Sequence, residues 1–326
     1  MRARHAKKKI VQPSGASAVP YNHAYHRFAV FFAIATFLLI IAGALVTSND
    51  AGLSVPDWPT SFGSLWKLPP MVGGVKFEHG HRVFAEFVGL LTILMAVWTH
   101  KVEQRRWMRI LGWTALATVV LQGILGGITV LRFLPWTIST AHATLGQTFL
   151  CLVIVMALVT GRSWLQADHP LPEQNEKPST PALATLAAVC VWLQLILGAA
   201  FRHSGIKLLP HIIGACIVTA ILCWTVVRVL ARYGHVPPLR RPAEILLALL
   251  MIQLGLGFVA YLTRIQWGHD PVQLAFSMVL STVSHVAGGA LVLATSVVLA
   301  IQVLRRISVP ISHPATQAAA RTVVTV

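Results

Sequence analysis

A chain of 326 residues that is 56% hydrophobic and only 11% charged is not an ordinary soluble domain, in which about a quarter of residues are charged. Its apolar residues come in long stretches divided by short charged loops, the pattern of a membrane bundle in which each helix needs roughly 20 apolar residues to cross about 30 Å of hydrocarbon. The net charge of +16 does not signal a nucleic-acid partner, because with a cytoplasmic N-terminus all but seven of the 26 Lys and Arg fall on the cytoplasmic side, the positive-inside bias of a polytopic protein.

The seven exceptions are Lys67, Lys76, Arg82, Arg132, Arg202, Lys207 and Arg264. A basic head, residues 1–27, carries Arg2, Arg4, Lys7, Lys8, Lys9 and Arg27 and is predicted to be cytoplasmic. Eight apolar spans follow, at about 28–46, 80–100, 110–131, 138–160, 182–201, 210–230, 243–262 and 281–304. Backbone groups in lipid must be satisfied within the segment, so each span is predicted helical. The first is too long for a signal-peptide core and no small-residue cleavage site follows it, so it is expected to stay as an anchor.

The loop at 47–79 is rich in Gly, Pro and Trp, and an external loop of that length points to function. Residues 163–181, with four prolines, read as a cytoplasmic linker between a half at 28–162 and a half at 182–304. Residues 305–326 form a cytoplasmic tail with no periodicity after Ser308. The expected fold is therefore an all-α integral membrane protein, eight transmembrane helices arranged as two pseudo-symmetric four-helix bundles, with both termini cytoplasmic. Trp58, Trp66, Trp107, Trp136, Trp164 and Trp267 fall near span ends, as interfacial aromatics do. Cys151, Cys190, Cys216 and Cys223 all lie within spans, so no disulfide is expected.

An internal repeat marks the odd-numbered spans. The third, fifth and seventh carry Gln122 with Gly126, Gln194 with Gly198 and Gln253 with Gly257, while the first has Gly43 without the glutamine. Two readings of the glutamines stand side by side: hydrogen bonding between closely packed helices, or contact with a cofactor. Each even-numbered span carries one histidine in its outer portion: His81, His142, His211 and His285. Ionisable residues at membrane depth are costly and are functional candidates by default, and four at matching places in repeated hairpins strengthen that reading. Glycines follow them, as at Gly146, Gly214 and Gly288, suggesting small neighbours for a flat macrocycle.

Imidazoles from two facing helices can supply both axial positions of a haem iron. Zinc also accepts histidine but favours a tetrahedral cluster with thiolate or carboxylate partners, so one histidine on each of four helices suits two bis-histidine haems better. Arg82, Arg132, Arg202 and Arg264 run against the positive-inside preference, and haem propionates would match them by charge-assisted pairing; the alternative is ordinary solvated arginines. Glu78 lies three residues before His81 and shares its helical face, so it either moves a proton beside the iron or merely complements the helix N-terminus. Glu86 is placed to pair with Arg82, four residues earlier. His79 points roughly 200° away from His81, and His203 lies in a loop from which it can reach a cofactor edge.

The segments GLSVPDWPTSFG at 52–63, EHGHR at 78–82, LQLILGAAFRHSG at 193–205 and PHIIGA at 210–215, with the outer histidines of the fourth and eighth spans, resemble the bacterial haem A synthase family over roughly 28–304. That resemblance implies an oxidoreductase that converts the C8 methyl of haem O to a formyl group by successive oxidations. It further implies haem O as substrate on His81 and His142, with Arg82 and Arg132 beside it, and a prosthetic haem b on His211 and His285, with Arg202 and Arg264. Glu78 corresponds to the family's catalytic glutamate. Many members carry a cysteine pair in the first outer loop; here Val55 and Ser61 stand in its place, as in members without the pair.

The implied location is the bacterial cytoplasmic membrane. The implied partners are a haem O synthase, the cytochrome oxidase assembly machinery and an electron donor that the residues leave unnamed, and the helix faces could support a homo-oligomer. Two other readings compete: a b-type cytochrome that only passes electrons from quinol, and a haem transport or assembly factor without chemistry. Electron transfer alone would not call for Glu78 one turn from a ligand, and a transporter would be expected to break its helices near the midplane.

Overall fold

The structure is a computed structural model, and it describes residues 20–166, 170–173, 177–267 and 275–308. The basic head before residue 20, the tail after Ser308 and parts of the 163–181 linker lie outside the described residues. Among the described residues, eight helices are long and apolar enough to cross a membrane, which makes the chain an all-α multi-pass membrane protein. They are α1 (His23–Ser48), α2 (Val75–Val102), α3 (Arg106–Leu131), α4 (Trp136–Thr160), α5 (Thr180–Arg202), α6 (Leu208–Tyr233), α7 (Pro237–Tyr261) and α8 (Phe276–Arg306).

The predicted spans all fall on these helices, but most of the helices run several residues past the apolar stretch. Helix α2 begins at Val75, placing Glu78 in its first turn. Helix α7 begins at Pro237 and carries Pro242 inside, just past the first turn, so the bond that an N–H there would make to the Pro238 carbonyl is forgone. Polar residues end a hydropathy window without ending a helix, because the backbone bonds continue into the headgroup layer. Helix α7 continues as a π-helical turn, Leu262–Gln266.

Helices α1 to α4 each pack on the next and α4 returns to α1; α5 to α8 do the same, with α8 returning to α5. Contacts of α1 with α8 and of α4 with α5 and α8 join the two sets. Each set has its own buried apolar cluster, one including Phe32, Met95, Phe149 and Met156, the other Leu222, Leu239, Leu246 and Leu299. Hydroxyl and guanidinium groups link the sets at one end: Arg202 Nη2 donates to the Thr47 carbonyl (2.7 Å) and Thr282 Oγ1 to Ser48 Oγ (2.9 Å). A guanidinium against the last carbonyls of α1 also complements that helix's negative end.

At the opposite end, Leu171–Pro172 and Ile307–Ser308 form a two-residue parallel pairing. Arg306 Nη2 reinforces it by donating to the Ser163 carbonyl at 2.8 Å. Two of the tryptophans at span ends prove to be packing elements as well. The Trp58 indole lies against Gly127, and the Trp136 indole against Gly205, where any side chain in place of hydrogen would collide with the ring.

Candidate functional site

The four histidines meet their hairpin partners in one repeated way. A Cβ built on Gly43 would lie 3.1 Å from His81 Cε1, on Gly126 3.2 Å from His142, and on Gly198 and Gly257 2.9 Å from His211 and His285. The glycine of each odd helix thus makes the space its neighbour's imidazole occupies, which is why the first span keeps Gly43 although it lacks the glutamine. The rings do not splay into lipid: all four histidines are only partly exposed.

The second set of glycines has a different occupant from the one expected. A Cβ on Gly146 would lie 2.8 Å from Gln122 Nε2, and Gly214 and Gly288 open onto the amides of Gln194 and Gln253. These glycines admit the repeat glutamines rather than a macrocycle. Of the two readings for the glutamines, hydrogen bonding between helices is the one observed, since each donates to the backbone carbonyl of a histidine: His142 (2.8 Å), His211 (2.7 Å) and His285 (3.0 Å).

The His211 and His285 rings lie 6.3 Å apart between centroids and are perpendicular, at 88°. Two imidazoles bonded at about 2 Å to a shared metal place their centroids roughly 6 Å apart, so this pair fits the axial positions of a haem. His81 and His142 lie within electrostatic reach of one another. Arg264, on the π-helical turn, has a buried Nη1 without a hydrogen-bond partner among the described residues, and it lies close enough to Arg202 for the two charges to interact. Two neighbouring cations with an open donor suit the carboxylates that a haem carries. Arg132, the C-cap residue of α3, is exposed.

The carboxylate of Glu78, 5% exposed, accepts from the Val55 N–H at 2.8 Å and from Arg82 Nη2 at 2.6 Å. The ion pair of Arg82 is therefore with Glu78; the expected partner Glu86 is exposed. Arg82 also gathers the carbonyls of Val55, Asp57 and Thr60 (3.1, 2.7 and 3.0 Å), so one guanidinium folds the long loop down onto the start of α2. Asp57 locks the loop tip by accepting from Thr60 Oγ1 and from the N–H groups of Phe62 (2.7 Å) and Gly63 (2.8 Å). Partial burial works against its ionisation, but these donors outweigh it and hold the carboxyl below its ordinary value. His79 turns to Ser61 Oγ, 3.1 Å away, separate from His81 as its helical position requires.

His203, in the α5–α6 loop, is pushed down to about 4 by burial, with the Arg202 guanidinium and His142 adding to the effect. It lies at the join between the two helix sets. Sequence reasoning did not find the seam of Thr47, Ser48, Arg202 and Thr282, nor the role of Asp57. Hydroxyls placed at the ends of otherwise apolar spans were the available signal for the first, and the Asp-Trp-Pro-Thr turn for the second.

Fold and site together define a polytopic membrane protein with paired intramembrane imidazoles, each seated against a glycine of the neighbouring helix. Residues 75–210 match the family model COX15-CtaA, described as cytochrome oxidase assembly protein. The Heme A synthase of Symbiobacterium thermophilum is 30% identical over 269 residues, covering 70% of this chain and 84% of the relative. Those of Lysinibacillus sphaericus (25% identical, 58% of this chain and 61% of the relative) and Dinoroseobacter shibae (32% identical, 35% and 32%) are similar over shorter stretches. The chain belongs to the haem A synthase family.

Proposed function

We propose that this protein makes haem A from haem O for terminal oxidase assembly, oxidising the C8 methyl to a formyl group. The observation that carries the reading is the His211–His285 pair, whose 6.3 Å perpendicular spacing suits a resident haem b, repeated as a glycine-seated histidine pair, His81 and His142, for a second haem. Bound haem b would supply one-electron chemistry, its potential set by its ligands and their surroundings. His81 and His142 orient the haem O substrate. Glu78, anchored by the Val55 N–H and by Arg82, takes up a proton at its carboxylate or stabilises positive charge developing at the reacting carbon.

Arg202 and Arg264 pair the haem b propionates, and Arg132 those of the substrate. Arg82 serves the substrate side by holding Glu78 and the loop in place. The loop, folded onto α2 and fastened at its tip, shields that end from water. The distribution of Lys and Arg supports a bacterial cytoplasmic membrane location with both termini cytoplasmic. A haem O synthase would supply the substrate and the oxidase assembly machinery would take the product. Methyl to formyl is a four-electron oxidation, so it also requires an oxidant, and a separate donor provides electrons where that oxidant is dioxygen.

Co-expression with a haem O synthase, followed by analysis of extracted haems, tests the activity. Haem A and its hydroxylated intermediate are expected, and their absence from folded protein supplied with reductant would leave only electron transfer or haem handling. Glu78→Gln, which keeps an acceptor for Val55 but removes the charge, should retain haem b absorbance while conversion falls about 10²–10⁴-fold. Unchanged conversion would take Glu78 out of the chemistry.

A further inference from the structure

The three glutamine contacts differ from ordinary helix-packing bonds in what they hold. A carbonyl inside an α-helix already accepts from the N–H four residues on. A second donor from the next helix pins that residue in rotation and in position along the axis. Gln122, Gln194 and Gln253 place this second donor on the carbonyl of His142, His211 and His285 and, among the described residues, on no other carbonyl. Each glutamine lies one turn before the glycine that seats the same histidine's ring, so backbone and imidazole are gripped from one helix face.

The grip extends to the ring in the α3–α4 hairpin, where His142 Nδ1 lies 3.2 Å from the Gln122 carbonyl oxygen, an acceptor to which a ring ligating through Nε2 would donate. In all three glutamines the amide oxygen is buried without a partner, an unfavourable arrangement that recurs in each hairpin and lets the amide nitrogen keep its bond to the histidine.

The α1–α2 hairpin lacks both parts of this device. Leu39 stands where the glutamine would be, and Phe84 and Ala85 stand where the other histidine helices have the admitting glycine. His81 keeps its seat on Gly43, and its Nδ1, like that of His285, is buried with no hydrogen-bond partner among the described residues. What sets His81 apart is that no glutamine from the neighbouring helix reaches its carbonyl, as one does for the other three.

We propose that Gln122, Gln194 and Gln253 are ligand-positioning residues, and that Leu39 leaves His81 as the one loosely held, replaceable ligand. This rests on the haem reading given above and adds to it a physical reason for the division of labour. The His211–His285 pair is gripped on both sides and retains its haem. The His81–His142 pair is gripped on one side and releases its haem, as a site that turns over must.

The test uses the purified full chain and measures haem loss to excess apomyoglobin, together with the spin state from the absorption spectrum. Gln194→Met and Gln253→Met keep side-chain length while removing the amide. They should speed haem b loss roughly 10–100-fold and convert part of its low-spin spectrum to high-spin. Gln122→Met should leave haem b untouched and speed loss only of haem O loaded into the other site. Wild-type loss rates and spectra in both Met variants would overturn the proposal. Should those variants fail to fold, the converse change Leu39→Gln with Ala85→Gly decides: it should slow haem O loss about tenfold, and an unchanged rate refutes the idea. Wild-type protein that never holds a low-spin haem b would sink the haem reading itself, and that result appears before any variant is made.

Discussion

His203 shows how a single side chain outside the membrane spans reports on its surroundings. Its protonation is suppressed, to about 4, mainly by burial, with Arg202 and His142 contributing, whereas an unfolded histidine titrates near 6.5. Between those values the unfolded chain binds the extra proton and the folded one does not. Stability is therefore fully present above about pH 6.5, falls as pH drops toward 4, and levels off below. Thermal unfolding in detergent across that range should show the decline, and His203→Gln should flatten it. An identical slope in the variant would assign the effect to other groups.

Among elements, the odd helices act as moulds for their neighbours, and this makes two glycines of one helix behave oppositely. Alanine is favoured over glycine inside a helix by about 1 kcal/mol, so Gly255→Ala, where nothing lies within 4 Å, should leave haem b content unchanged. Gly257→Ala carries the same propensity gain but sets a methyl 2.9 Å from His285 Cε1, forcing the imidazole to move. Haem b content, measured as the pyridine haemochrome per protein, should drop several-fold in that variant alone. Equal content in both would show that ring placement tolerates the shift.

The same hairpins mark how far the sequence could be read. Eight spans, the matching histidines and the Gln-to-Gly repeat were legible because hydropathy and a fixed period survive without coordinates. The occupants of the glycine gaps were not, since a missing Cβ says that something approaches and not what. Gly146 reads equally well as a seat for a flat ring or for the Gln122 amide that fills it. The choice of Glu78 over Glu86 as partner for Arg82 was equally hidden: both are four residues away, and only the loop folding back through Val55, Asp57 and Thr60 decides between them.

In the whole molecule, the two helix sets meet through few polar groups. Ser48 lies between Arg202 of α5 and Thr282 of α8, and both it and Thr282 are buried. Thr282→Val removes a buried hydroxyl pair at nearly constant volume and leaves Ser48 with less support, at a cost of about 1–3 kcal/mol. The expected result is a lower unfolding temperature with the haem b spectrum preserved, because His285 is held by α7 and not by this seam. Arg202 belongs both to the seam and to the proposed propionate contacts, so a variant that lost its spectrum before its fold would show that Thr282 supports the haem through Arg202.

The pairing of Leu171–Pro172 with Ile307–Ser308 carries a timing consequence. Its two sides stand 137 positions apart at the Ser308–Leu171 contact, so the first is synthesised long before the second exists. At ordinary rates of translation the interval is on the order of ten seconds. Throughout it, the earlier strand waits at the membrane surface for the last helix to enter. The clasp therefore forms as a closing step of biogenesis, fastening a bundle whose other contacts were available sooner.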